Sequence, residues 1–145
     1  MKKSFLLTCL QCLLLGIYPL ISQAQQRAVL RPDSFATVIE DLQRGITNSD
    51  INAFAKHFGK QVYVDLPGED GGYFSENQLF YILQNFFGPR HAQQFKFSTV
   101  DESDSGSYAT GSCVFLFRGH REMLQIYVAL SKLNDKLVIT QFNVY

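Results

Sequence analysis

The 145-residue chain has no tryptophan and only three cysteines. Two of these, Cys9 and Cys12, fall in an opening stretch with the makeup of an export signal. Lys2 and Lys3 make a positive start, residues 5–21 are almost wholly apolar, and Ser22-Gln23-Ala24 places small residues at −3 and −1. The apolar run is short for a membrane anchor, and Gln11 and Pro19 interrupt it. Neither Cys9 nor Cys12 follows a small residue at the depth of a lipoprotein cleavage site. The expected organisation is a cleaved signal peptide over residues 1–24, a flexible leader over 25–33 and one domain over 34–145. The protein is then exported, to the periplasm or beyond the cell, with no membrane span after cleavage. Cys113 is left alone, which excludes an internal disulfide, so stability must come from the core.

An excess of charge of either sign is also missing. Loss of Lys2 and Lys3 takes the thirteen basic residues to eleven against thirteen acidic ones, a net charge of about −2. Lysines and arginines are scattered rather than clustered, which argues against nucleic acid and anionic membrane surfaces as partners. His57, His91 and His120 are far apart and make no metal-ligand spacing, so no metal is expected. There is no glycine-rich phosphate loop and no Gly-x-Ser-x-Gly elbow. No Cys-x-x-Cys pair survives removal of the signal, and no cofactor is expected.

What the chain has in quantity is phenylalanine (13) and tyrosine (7), within a composition that is 46% hydrophobic. Helical patterns come first. Phe35, Val38, Ile39, Leu42 and Ile46 recur at helical spacing behind Pro32-Asp33, and Gly45 weakens the end. Asn48-Ser49-Asp50 breaks the chain and caps a second helix carrying Ile51, Phe54, Ala55 and Phe58, which Gly59 stops. Val62, Val64 and Leu66 alternate with Tyr63 and Asp65 as in a strand. Residues 67–72 read as a turn or loop. Ser75 with Gln78 makes a capping box, and Phe74 with Leu79 a hydrophobic staple. The helix that follows shows Leu79, Ile82, Leu83, Phe86 and Phe87 on one side and ends at Gly88-Pro89.

Four alternating stretches then run to the C-terminus. Phe95 and Phe97 share a face of the first. The second, Tyr108 to Phe117, contains Gly111 as a candidate bulge. The third, Met123 to Ser131, sets Leu124, Ile126, Val128 and Leu130 against Gln125 and Tyr127, and the fourth is Leu137 to Tyr145. Polar turns at residues 101–106, 119–120 and 134–135 make them sequential antiparallel neighbours. The expected fold is α+β, a cone of three N-terminal helices packed on a curved, mainly antiparallel sheet.

This order, with the stretch Asn48-Ser49-Asp50 through His57-Phe58, resembles the nuclear transport factor-like superfamily, which includes the ketosteroid isomerases and polyketide cyclases. Ser49 stands where that superfamily's stretch usually has glycine. The likeness covers residues 35–145. The short length, the signal and the Phe86-Phe87 helix end also resemble a family of small exported bacterial proteins of unknown function. The superfamily shares shape and not chemistry.

The resemblance makes Asp65 a candidate general base, since the isomerases place a carboxylate at about this position. Their oxyanion donors are a tyrosine on the first helix, where this chain has Leu42, and a protonated acid on the penultimate strand. Residues 123–131 contain no Asp or Glu, so two parts of that chemistry are missing. His57, off the apolar stripe of its helix, reads as a surface or pocket-rim histidine. Cys113, among Val114, Phe115 and Phe117, reads as a small buried hydrophobe. Tyr63 and Tyr127 share strand faces with Asp65 and Gln125, giving one amphipathic, aromatic sheet surface through which a homodimer would form. Tyr81 joins these as a pocket or interface residue.

The expected role is a non-catalytic module that binds a small apolar ligand or a partner protein. Two alternatives stand beside it. One is an isomerase, dehydratase or cyclase using Asp65. The other is a structural subunit of an envelope complex, favoured by a shallow or side-chain-filled cone beside a large apolar sheet patch.

Overall fold

The computed structural model describes residues 34–145. The expected signal peptide (1–24) and the leader (25–33) lie outside the described residues.

Ser34 starts the first helix, α1 (Phe35–Asn48), by accepting the Thr37 amide on its hydroxyl at 3.3 Å. All five stripe residues of α1 are buried. Ser49 ends it in the left-handed conformation (φ 54°). The second helix is shorter than expected: α2 spans only Asn52–Ala55, and strand β1 (Phe58–Asp65) begins before Gly59. The reason is non-local. The His57 carbonyl accepts the Ile139 amide at 2.7 Å, which draws the chain into the sheet.

Residues 72–75, expected as loop and helix start, form strand β2 (Gly72–Ser75) against β1. The capping box then opens α3 (Glu76–Phe87), with the Gln78 side chain accepting the Ser75 amide at 3.0 Å. The expected strand at Phe95 and Phe97 is instead two three-residue strands, β3 (Arg90–Ala92) and β4 (Thr99–Asp101), with the phenylalanines between them. Three long strands follow: β5 (Ser107–Phe117), β6 (His120–Leu133) and β7 (Lys136–Val144). Both hairpin turns joining them, Arg118-Gly119 and Asn134-Asp135, have two residues at positive φ, the twist that suits two-residue hairpins.

The sheet runs β2-β1-β7-β6-β5-β3, with β4 also on β5. It is mixed, because β1 lies parallel to β7 while the other pairs are antiparallel. Gly111 marks no bulge: β5 pairs with β6 without a break from Ser107 to Phe117. The small residue is needed for a different reason, since a Cβ there would lie 2.7 Å from the Lys96 carbonyl oxygen of the crossing segment. The register shifts fall between Ala129 and Leu130, and between Phe58 and Tyr63.

One face of the sheet carries Val62, Val64, Ile126, Val128, Phe142 and Val144 into the core with the helices. Five phenylalanines knit this interior. Phe142 stacks on Phe54 (centroids 6.2 Å apart) and meets Phe87 edge-on at 6.1 Å. Phe87 touches Phe115, and Phe54 touches Phe58, each at 5.8 Å. The space between helices and sheet is therefore filled by rings.

Candidate functional site

Period-two alternation turns the opposite set of side chains outward. Across β1, β7 and β6 the register aligns Tyr63 with Gln141 and Ala129, and Asp65 with Asn143 and Tyr127. Tyr108 of β5 extends the first row and Thr110 the second, and Tyr73 of β2 lies beside Tyr63. The rings pair along this face. Tyr108 stacks on Tyr127 at 6.0 Å, and Tyr63 meets Tyr73 at 5.3 Å with the planes 69° apart. Gln125 donates to the Thr110 hydroxyl at 3.3 Å, and the Asn143 amide nitrogen donates to the Tyr145 hydroxyl at 2.8 Å. Among the outward positions of β1, β7 and β6 named here, Asp65 carries the one charge.

The structure thus brings together Tyr63, Asp65, Gln125 and Tyr127, on the outer face rather than inside the cone. Asp65 is half-buried there, away from the ring-filled interior, and among the described residues nothing hydrogen-bonds to its carboxylate. Tyr81 stands apart from this group. It lies on α3, 64% exposed, against Phe80.

His57 departs from the expected surface position. It follows α2 in a turn and is fully buried. Its Nε2 is 2.9 Å from Asp41 Oδ2, a bond that places the hydrogen on Nε2, while Nδ1 is buried with no partner. Asp41 was not singled out from sequence, although it lies three residues after Val38, at the edge of the α1 stripe. Its carboxylate also receives Arg44 and, at 2.8 Å, Lys56. Burial pushes the Asp41 carboxyl up. The hydrogen bonds from Lys56 and His57, with the charges of Lys56 and Arg44, outweigh it and hold the group below its ordinary value. Cys113 is buried as expected, and burial raises its thiol.

Two surface clefts lie elsewhere on the domain. An open one of about 1090 Å³ is bordered by Phe35, the 102–107 turn and the β6–β7 hairpin. A smaller one, about 240 Å³, lies between α3 and Arg90. None of the candidate site residues Tyr63, Asp65, His57, Tyr81, Gln125, Tyr127 or Cys113 lines either. Arg90 is already engaged, sandwiched between the Phe86 and Phe117 rings and bonded to Glu122 at 3.1 Å. Among the described residues no helix is long and apolar enough to cross a membrane, and no cluster of three or more His, Cys, Asp or Glu has metal-binding geometry.

Three helices against a curved mixed sheet define a nuclear transport factor-like, ketosteroid isomerase-like α+β fold. An NTF-2-like protein of unknown function from Shewanella oneidensis shares it, with a TM-score of 0.54 at 9% identity over 75% of this chain and 93% of that one. Within that class the chain belongs to the DUF4783 family, a domain of unknown function, whose pattern matches residues 39–144. Crystal structures of family members agree. The protein from Bacteroides uniformis has a TM-score of 0.65 at 13% identity, over 72% of this chain and 93% of its own. That from Bacteroides ovatus has 0.62 at 15%, over 79% and 96%. No curated protein matches the sequence.

Proposed function

We propose that this domain is an exported, non-catalytic protein-binding module that pairs with a second copy of itself through the outer face of its sheet. The observation that carries the reading is the contrast between the two faces. The interior is filled by phenylalanine rings, which favours a protein over a small apolar molecule as partner. The outer face carries the paired rings Tyr63–Tyr73 and Tyr108–Tyr127, and protein interfaces favour tyrosine. The isomerase-type alternative needs a carboxylate in an apolar cavity, and Asp65 is on the other side of the sheet.

A second copy fits the face for a chemical reason. Tyrosine hydroxyls and the amides of Gln125 and Gln141 both donate and accept hydrogen bonds, so two identical faces can satisfy one another across a two-fold axis. Charged faces of one sign would repel instead. Export rests on the composition of residues 1–24.

Sedimentation equilibrium on residues 25–145 tests the pairing. The expected result is a dimer that Tyr108→Arg and Tyr127→Arg each convert to a folded monomer, because each buries a cation in a desolvated aromatic patch. A wild-type chain that stays monomeric at high micromolar concentration overturns the reading.

A further inference from the structure

Charge is distributed along the outer face in a way that the tyrosines do not explain. Antiparallel partners share a face, so the register defines rows across it. One row, at the start of β5, is Asp101, Tyr108 and Ala129. Another, at the end of β5, is His91, Leu116 and Arg121. Glu102 and Asp104 follow Asp101 in the turn beside the first row, and Arg118 and His120 border the second. These acidic and basic residues are all exposed, and among the described residues none of them forms an ion pair. Lys132 is paired with Asp135, and Glu122 with Arg90, so neither pair shifts the balance. One end of the face is therefore acidic and the other basic. Midway, Ser112 lies opposite Gln125. Tyr108 and Leu116 are equally spaced on either side of Ser112, as Tyr127 and Met123 are on either side of Gln125. Leu116 and Met123 are 44% and 76% exposed.

We infer that the second copy seats with its strands antiparallel to the first, on a two-fold axis that crosses the strands at Ser112 and Gln125. The inference rests on the pairing proposed above and adds its orientation and its contacts. Two aligned sheet faces related by a two-fold axis in their plane have two simple arrangements. An axis along the strands lays like ends together, acidic on acidic and basic on basic. An axis across the strands lays the acidic end of each copy on the basic end of the other, so the complementary contact is made twice. Juxtaposed like charges are costly, and opposite ones fix the register of an interface. The same rotation brings Asp101 over His91 of the second copy, Tyr108 over its Leu116 and Tyr127 over its Met123. The two rings then cover the exposed aliphatic and thioether groups, and sulfur against an aromatic ring is a favourable contact. Gln125 meets its own copy on the axis, where an amide can both donate and accept.

The test is a charge exchange on residues 25–145, read by sedimentation equilibrium. One variant carries Arg118→Glu with Arg121→Glu, the other Glu102→Lys with Asp104→Lys. Thermal melts confirm that both fold; should either fail, the single changes Arg121→Glu and Asp104→Lys make the same comparison. Each variant alone has two repelling ends, and its self-association is expected to weaken about tenfold or more at low salt. An equimolar mixture of the two is expected to form a heterodimer of near wild-type affinity, because each altered end meets its complement. High salt narrows the differences. A wild-type chain that stays monomeric overturns the pairing and this inference together. A wild-type dimer whose variants keep their self-affinity, or whose mixture associates no more tightly than either variant alone, overturns the orientation and leaves the pairing standing. So does tighter self-association of the Arg118→Glu, Arg121→Glu chain, which is the result of an axis along the strands.

Discussion

Asp41 is the residue on which the α1–β1 joint turns. It is 4% exposed and holds the buried His57 while facing two cations whose side chains are mostly in solvent. The exposed cations are partly screened by solvent, whereas the His57 bond is fully buried. Asp41→Asn keeps a side chain that still reaches His57 but loses the charge-assisted bond. The expected cost at neutral pH is about 1–2 kcal/mol, seen as a drop of several degrees in Tm. The pH dependence follows from the direction of the Asp41 shift. A carboxyl held below its ordinary value of 3.8 contributes stability that is present above that value. The contribution is lost as pH falls through the folded value, where the native state must take up the proton. The gap between wild type and Asp41→Asn should therefore be full at pH 7 and close at pH values well below 3.8. Urea unfolding at the two extremes measures it, and a gap that widens in acid contradicts the assignment.

At the scale of elements, α1 carries a conflict between local preference and packing. Gly45 lies inside the helix, where alanine would be favoured by about 1 kcal/mol on propensity alone. A Cβ there would lie 2.3 Å from the Phe54 ring and 2.7 Å from the Asp50 carbonyl oxygen. The ring is locked by Phe58 and Phe142, and the carbonyl belongs to the backbone. Gly45→Ala should destabilise the domain by about 1–3 kcal/mol despite its better propensity, read as a lower urea midpoint at unchanged m. The same distinction decides how much of the structure was legible in the sequence. The α1 stripe, the Ser75–Gln78 cap and the alternation of β5, β6 and β7 are local patterns, and the structure keeps each of them. The ending of α2 at Ala55 depends on Ile139, and the parallel pairing of β1 with β7 joins segments some eighty residues apart in sequence. Local periodicity contains neither fact. The same holds for the site. Alternation placed Tyr63 with Asp65 and Gln125 with Tyr127, but only the strand order inserts Asn143 between the two pairs. His57 looked like a rim residue because Asp41, its partner, sits sixteen positions earlier on another element.

At the scale of the whole described domain, the decisive property is that phenylalanine rings pack on one another between the helices and the sheet. An apolar ligand was one expected partner, yet the interior phenylalanine rings pack on one another. Phe142 is the keystone, fully buried and in contact with both Phe54 and Phe87. Phe142→Ala removes a ring that its neighbours cannot replace, because each is held on a different element. The expected cost is about 3–5 kcal/mol, which leaves a domain of ordinary stability folded but marginal. The cavity so made is lined by carbon and should stay dry, so it should accept a small apolar molecule. Benzene is then expected to raise the Tm of Phe142→Ala through binding linkage and to leave the wild type unmoved. Should Phe142→Ala fail to fold, Phe142→Leu makes a smaller cavity with the same expected sign. A wild-type domain stabilised by benzene would mean that the interior already has room for a ligand. In that case the binding function would move from the tyrosine face to the inside of the cone.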